Sequence, residues 1–238
     1  MKPLQIGILV TNTDESEFAA SHPKDGEKFT ALLKAQRTDW DYRVYAVKDG
    51  VFPGAVDECD GYVITGSPAS VNGSESWIDR LMEFIRALDR KRIPTVGTCF
   101  GHQAIAKALG GKVEKNAAGW GFGVSPTRFE MFESWMTPTR RTLNLYAAHI
   151  EQVTQLPQRA VVLGGSDFCP VSSFRVGDHF FTTQYHPEIT PRFFDALTWE
   201  LSDYLGEALC QEARAQAKVA VDGEFFAIWM VNFLEKIA

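Results

Sequence analysis

Apolar residues in the first half of the chain follow two alternating patterns. Short runs rich in Ile, Val, Leu and Tyr are typical of buried strands, and they cover residues 4–10, 42–47, 61–65 and 93–97. Stretches with apolar residues three or four positions apart are typical of amphipathic helices, and they cover residues 27–37, 77–90 and 100–109. This alternation predicts an α/β fold with a doubly wound, mostly parallel central sheet flanked by helices.

The pattern changes between residues 112 and 181, where short apolar runs are separated by turns. The predicted strands of this region lie around Val113 and at residues 123–129, 160–163, 171–175 and 179–183. They follow each other without intervening helices. We therefore expect a small antiparallel addition to the sheet rather than a second domain.

The residues from Pro191 onwards have helical spacing and form two apolar stripes. The stripes consist of Phe193, Leu197, Leu201 and Leu205, and of Phe225, Trp229, Phe233 and Ile237. Such stripes belong to a core more often than to a binding face. We expect residues 1–190 to form one domain and residues 191–238 to form a helical tail packed on it.

Composition and charge narrow the functional class. The 238 residues are 45% hydrophobic and 23% charged, which is typical of a globular protein. The net charge of −6 disfavours general binding to nucleic acid. The longest apolar run, 225–231, is far shorter than the ~20 residues that span a bilayer, and the first residues lack a signal-peptide pattern. We expect a cytoplasmic protein that binds neither nucleic acid nor membrane.

The four cysteines have no spacing that suggests a metal site or a disulfide framework. Cys59, Cys169 and Cys210 are expected to be small core residues. Cys99 differs because Gly97 and Gly101 flank it. We expect neither a metal nor a cofactor.

The Gly-x-Cys-x-Gly pattern around Cys99 lies between a predicted strand and a predicted helix. This arrangement is typical of a nucleophile elbow, in which a sharp turn projects the nucleophile above the sheet. The N-terminus of the following helix favours a thiolate, and the N–H of Phe100 is placed to donate to a developing oxyanion. The alternative is a buried cysteine in a glycine-rich turn.

A second chemical element follows the last predicted strand. His186 is a candidate general base and acid, and Glu188 lies on the same side of an extended segment, where it can orient the imidazole. The alternative is an ordinary surface turn, and by itself His186 is no better a candidate than His102 or His149.

A third element is Gly66, at the predicted carboxyl end of the strand at residues 61–65. Carboxyl ends of parallel strands line the ligand crevice of α/β proteins. The N–H of Gly66 is therefore a candidate second oxyanion donor. The alternative is a structural turn between strand and helix.

Taken together, residues 97–103 and 186–188 resemble the class I (triad) glutamine amidotransferase family over about residues 5–190. Residues 65–71 and 184–190 look most like stand-alone GMP synthase-like amidotransferases and the related gamma-glutamyl peptidases. The resemblance implies a flavodoxin-like class I amidotransferase fold.

The resemblance also implies roles for individual residues. Cys99 would attack a gamma-carboxamide and form a gamma-glutamyl thioester, with His186 as base and then acid and Glu188 orienting it. Gly66 and Phe100 would form the oxyanion hole through their backbone N–H groups.

The glutamyl part of the substrate would be bound by a further group of residues. By resemblance these are Gln103, His149, Ile150 and Glu151. Ala148, in the same segment, stands where many relatives carry Ser or Asn. For His149 the alternative is a packed histidine at a strand end.

Three functions remain open at this level. No Walker A or Gly-x-Gly-x-x-Gly pattern is present, so we do not expect this chain to activate an acceptor with ATP. The first hypothesis is a stand-alone hydrolase or transferase of gamma-glutamyl amides, acting on glutamine or on a gamma-glutamyl peptide or amine. The second is a glutaminase subunit that delivers ammonia to a separate synthetase chain, with the Phe225/Trp229/Phe233 stripe as its docking face.

The third hypothesis is a non-enzymatic binding or redox module. DJ-1/PfpI-type proteins usually have His directly after the elbow cysteine, whereas this chain has Phe100. The leaving-group pocket is expected to be built by loops such as 12–24 and 69–76.

Overall fold

The computed structural model describes residues 3–237, and side chains as far as Lys236. A nine-stranded sheet forms its centre, in the order β2-β1-β3-β4-β11-β10-β9-β6-β7. Its strands are β1 (Gln5–Val10), β2 (Asp41–Ala46), β3 (Gly61–Ile64), β4 (Thr95–Thr98), β6 (Gly121–Phe129), β7 (Thr142–His149), β9 (Ala160–Gly165), β10 (Ser173–Val176) and β11 (Phe180–Thr183). Strands β5 (Lys112–Lys115) and β8 (Glu151–Gln155) form a separate antiparallel pair.

The sheet has a parallel half and an antiparallel half. Strands β2, β1, β3, β4 and β11 run parallel, and β10, β9, β6 and β7 continue the sheet antiparallel to one another. The predicted parallel sheet with an antiparallel addition is therefore confirmed.

Helices cover the sheet, as the amphipathic patterns predict. They are α1 (Glu17–Ala20), α2 (Asp25–Lys34), α3 (Ser76–Lys91), α4 (Phe100–Ala108), α5 (Pro191–Glu200), α6 (Ser202–Leu205), α7 (Glu207–Ala215) and α8 (Gly223–Ile237). In residues 3–237, no helix combines the length and the apolarity that crossing a membrane requires.

Strands β7 and β8 are absent from the sequence prediction. The sequence of β7 does carry the apolar residues at every second position that a strand requires, since Leu143, Leu145 and Ala147 are buried. Strand β8 exposes Thr154 and Gln155 and has only β5 as partner, so its pattern is weak.

Helix α8 packs into the core of the sheet. Phe226, Trp229 and Phe233 are almost fully buried, and Trp229 Nε1 donates to the carbonyl of Pro138 at 3.0 Å. The core prediction for the stripe is correct for Trp229 and Phe233, while the side chain of Ile237 lies outside the described residues. Phe225 is half-buried and packs against the same core. Because Trp229 and Phe233 are buried, the stripe as a whole is not free to form a docking face. The division of the chain at residue 190 stays a prediction.

The parallel half brings three chain segments to one edge. Ile64 pairs with Gly97, and Thr183 pairs with Thr98, so β3, β4 and β11 end at the same level. The residues that follow these strands include Gly66, Cys99 and His186, which meet at this edge.

Candidate active site

Cys99 occupies a sharp turn between β4 and α4. Its backbone has φ 48° and ψ −104°, a conformation that costs a non-glycine residue about 1–3 kcal/mol. A Cβ on Gly101 would lie 2.3 Å from the carbonyl oxygen of Ile64, and Gly101 N–H donates to Thr65 O at 3.1 Å. The flanking glycine is therefore required because α4 packs directly on β3.

Gly66 and Phe100, the candidate oxyanion donors, both lie next to Cys99. Within residues 3–237, neither Gly66 nor Phe100 donates its N–H to another group of the protein. A Cβ on Gly66 would lie 2.9 Å from Cε1 of His186 and 3.5 Å from Cβ of Cys99. Gly66 therefore lies against both side chains, and only a hydrogen fits there.

His186 and Glu188 form a buried hydrogen-bonded pair. His186 Nδ1 and Glu188 Oε1 are 2.7 Å apart, and His186 N–H donates to the carbonyl of Tyr146 at 2.9 Å. Because Nδ1 is engaged by the carboxylate, Nε2 is the nitrogen available for chemistry, and it has no hydrogen-bond partner in the described chain.

The charges around His186 favour its imidazolium form. Burial alone would lower the pKa of His186, but the Glu188 carboxylate and the neighbouring Cys99 outweigh it and hold that pKa well above the usual 6.5. The arrangement resembles a cysteine–histidine–carboxylate set in which the imidazole is charged in the resting state.

Gln184 is a site residue that the sequence reasoning missed. It is fully buried, and its Nε2 donates to Sγ of Cys99 at 3.8 Å. Its Oε1 accepts from Nε2 of Gln103 at 3.1 Å. Its position directly after β11 and two residues before His186 was the available signal.

The other predicted substrate-binding residues form one hydrogen-bonded cluster. Gln103 Nε2 and His149 Nδ1 both lie within hydrogen-bond distance of the Glu151 carbonyl, at 2.7 Å and 3.2 Å. The Ile150 carbonyl accepts from Asn116 N–H at 2.7 Å, and Ser70 Oγ donates to the Glu151 carboxylate at 2.8 Å. This cluster reaches Cys99 through Gln184. Its contact with a glutamyl group stays a prediction.

Two buried histidines, His149 of this cluster and its neighbour His102, are neutral. Burial, reinforced by the positive charge of His186, lowers the pKa of His149 to about 4. Burial and the neighbouring His149 lower the pKa of His102 to about 3. The raised pKa of His186 therefore distinguishes it from these two histidines. The sequence alone does not separate the three residues.

A cavity of about 820 Å³ opens beside Cys99 and His186. The loop 12–24 lines it as expected, whereas of the predicted loop 69–76 no residue does; Ser67 and Pro68 line it instead. Trp120 and Phe122 also face the cavity, while Trp135 is part of the core.

The apolar stripe of α5 and α6 forms one wall of this cavity. Its members Phe193, Leu197, Leu201 and Leu205 are all half-buried and all line the space. They pack on one side against a core cluster around Phe194, so the expectation of a core stripe is correct on that side, while the other side lines the cavity. Helical spacing is the same for a core stripe and a cavity wall, and the sequence cannot separate them.

The model of the class-I glutamine amidotransferase family matches residues 31–200, well over half of the chain. The chain belongs to the class-I glutamine amidotransferase family. Among relatives, gamma-glutamyl peptidase 3 of Arabidopsis thaliana is 33% identical over 168 residues, which is 67% of each chain. Gamma-glutamyl peptidase 4 of the same plant is 29% identical and covers 96% of this chain and 95% of its own.

Other members of the amidotransferase family are also similar. One subunit of the glutamine-hydrolyzing GMP synthase from Archaeoglobus fulgidus is 29% identical over 56% of this chain and 68% of its own. A solved glutamine amidotransferase from Thermotoga maritima shares the fold with a TM-score of 0.77, at 18% identity and 98% coverage of both chains. The predicted class I amidotransferase fold and the family resemblance are confirmed.

Proposed function

We propose that this protein is a stand-alone hydrolase or transferase of gamma-glutamyl amides that uses Cys99, His186 and Glu188 as a catalytic triad. The observation that carries the proposal is the placement of Cys99 in a strained elbow, next to a His186 whose Nδ1 is held by Glu188 at 2.7 Å. Family membership and the similarity to gamma-glutamyl peptidases support the substrate class.

The first half of the reaction breaks the amide bond. Cys99 Sγ, as thiolate, adds to the gamma-carbonyl carbon, and the carbonyl oxygen becomes an oxyanion that accepts from the N–H groups of Gly66 and Phe100. His186 then gives the proton on Nε2 to the leaving nitrogen. The C–N bond breaks, the amine departs, and a gamma-glutamyl thioester remains on Cys99.

The second half releases the acyl group. His186, now neutral at Nε2, takes a proton from water, and the oxygen of that water adds to the thioester carbon. The C–S bond breaks and restores the thiolate and the imidazolium, with glutamate as product. In the transferase variant, an acceptor amine takes the place of water. Glu188 holds the imidazole tautomer throughout, through its hydrogen bond to Nδ1.

The test is the release of ammonia or amine from gamma-glutamyl amides by wild type and Cys99→Ala. We expect activity in the wild type and its loss in the variant, together with a gamma-glutamyl adduct on Cys99 in intact-mass spectra. Equal rates for the two proteins would refute the triad.

The second candidate is a glutaminase chain of a two-chain amidotransferase, which the similarity to one chain of a GMP synthase favours. That function predicts almost no activity on glutamine until a synthetase chain is added. Full activity of the isolated protein would exclude it.

A further inference from the structure

The cavity beside Cys99 is much larger than the leaving group of glutamine needs. Its volume is about 820 Å³, and both Cys99 and His186 are among its lining residues. Ammonia is close in size to a water molecule, whose share of liquid volume is about 30 Å³. The space therefore accommodates a leaving group many times larger than ammonia.

The wall opposite the triad is apolar and aromatic. Phe18 of α1 and Phe193 of α5 lie 5.6 Å apart between ring centroids, and Leu197 and Leu201 continue the same surface. At the rim, the rings of Trp120 and Tyr204 lie 5.9 Å apart in an edge arrangement. A surface of this kind binds apolar groups because it removes their area from water.

Two of the three lysines that line the cavity form salt bridges. Lys28 pairs with Asp25 at 3.1 Å, and its Nζ lies 3.7 Å from the ring centroid of Phe193. Lys48 pairs with Glu15 at 2.8 Å.

The third lysine of the lining, Lys24, donates its Nζ to the carbonyl of Ala19 at 2.8 Å. The lining residues, all within the described chain, contain no arginine. The lining also holds five carboxylates, those of Asp14, Glu15, Asp25, Glu27 and Glu188, against the three lysines. A free carboxylate on the leaving group would therefore meet an excess of negative charge, and its desolvation would be poorly compensated.

From these observations we infer that the cavity is the subsite for the leaving amine, and that this amine is bulky, apolar and free of carboxylate. This inference rests on the proposed gamma-glutamyl amidase function. It names a substrate class that the triad does not specify, namely gamma-glutamyl conjugates of hydrophobic amines. The proposed cleavage of the amide bond stays the same. The inference assigns only the chemical nature of the leaving amine, which receives the proton from His186.

Three synthetic amides test the subsite: gamma-glutamyl cyclohexylmethylamide, gamma-glutamyl methylamide and gamma-glutamylglycine. The first two release amines of similar basicity, so their rates compare binding rather than leaving-group chemistry. We expect kcat/KM for the cyclohexylmethylamide to exceed that for the methylamide by about tenfold or more. We expect gamma-glutamylglycine to be the poorest substrate of the three.

A pair of variants on α5 tests whether the cavity causes the preference for the bulky amide. Leu197→Trp fills the cavity, and Glu200→Trp places the same side chain on an exposed position of the same helix outside the cavity. The measured quantity is the ratio of kcat/KM for the bulky amide to that for the methylamide. This ratio does not depend on the fraction of folded enzyme. We expect it to fall about tenfold in Leu197→Trp and to stay unchanged in Glu200→Trp.

The outcomes separate the two proposals. Equal or faster cleavage of the methylamide or of gamma-glutamylglycine, with loss of activity in Cys99→Ala, would overturn the subsite and leave the triad intact. A ratio that is unchanged in Leu197→Trp would also overturn the subsite. No Cys99-dependent cleavage of any amide would overturn the proposed function, and the subsite with it.

Discussion

Gln184 donates from Nε2 to the sulfur of Cys99 at 3.8 Å. Both residues are buried, and the amide is held in this orientation because its Oε1 accepts from Gln103 at 3.1 Å. A fixed donor beside the sulfur stabilises a thiolate without competing with His186 for its proton.

The first prediction concerns this donor. Gln184→Leu should slow the alkylation of Cys99 by iodoacetamide at fixed pH, and should lower kcat, each about tenfold, because a hydrogen bond to a charged group contributes about 1.5 kcal/mol. The rates are measured by intact mass and by amine release. Gln152→Leu changes a buried glutamine that does not contact Cys99 and serves as control. Equal loss in both variants would assign the effect to packing.

The second prediction follows from the raised pKa of His186. In the proposed mechanism the imidazolium gives its proton to the leaving amine, so kcat/KM should persist as pH rises past 6.5 and decline only at the raised pKa. The raised pKa of His186 also makes the stability of the fold depend on pH, and in the same direction as kcat/KM. A raised folded-state pKa stabilises the fold fully below the unfolded value of 6.5, and this contribution is lost as pH rises through the folded value.

Removal of the carboxylate tests the cause of that shift. Glu188→Gln should move the alkaline limb of the pH profile to lower pH and reduce kcat by about 10²-fold or more. Glu130→Gln, which changes an exposed carboxylate outside the site, is the control. An unmoved alkaline limb in Glu188→Gln would contradict the assignment of His186.

The third prediction concerns acid stability. His102 and His149 have folded-state pKa values lowered to about 3 and about 4, so each stabilises the fold above 6.5 and loses this contribution as pH falls. Between pH 6 and 5 the free energy of unfolding should fall with a slope approaching about 2–3 kcal/mol per pH unit. Urea unfolding at several pH values measures it.

One variant measures how much a single histidine contributes to this slope. His102→Gln should reduce the slope by about half, because one of the two neutral imidazoles is removed. An unaltered slope in His102→Gln would show that other groups bind the protons.

The fourth prediction concerns the elbow. Gly101→Ala should destabilise the protein by about 2–4 kcal/mol, because the new Cβ would approach the carbonyl oxygen of Ile64 to 2.3 Å and α4 must move away from β3. In Gly54→Ala the nearest atom is a side-chain oxygen at 3.4 Å, and the change should be within about 1 kcal/mol. The midpoint of urea unfolding measures both. Similar midpoints would mean that the elbow adapts easily.

Much of the parallel sheet could be predicted from the sequence because its strands are continuous apolar runs. The candidate triad was equally accessible, since Cys99 and the pair His186 and Glu188 each lie in a short local motif. Gln184 was missed because its significance depends on the distance to Cys99, which is 85 residues away along the chain.

The cavity wall could not be predicted for a different reason. Leu197 and Leu201 have the same spacing whether they face a core or an open space, and only the three-dimensional structure shows that both line the cavity. Hydrophobic periodicity carries no information about which of the two they face.

Helix α5 begins directly after the candidate triad. Thr190 caps it, accepting from Phe193 N–H at 3.3 Å, only two residues beyond Glu188, and Pro191 occupies the first turn. The carboxylate that is hydrogen-bonded to His186 and one wall of the cavity are thus encoded within one stretch of about twenty residues. Under the proposed function, exchanging residues 191–205 as one segment would change the selectivity for the leaving amine and keep Cys99, His186 and Glu188 unaltered.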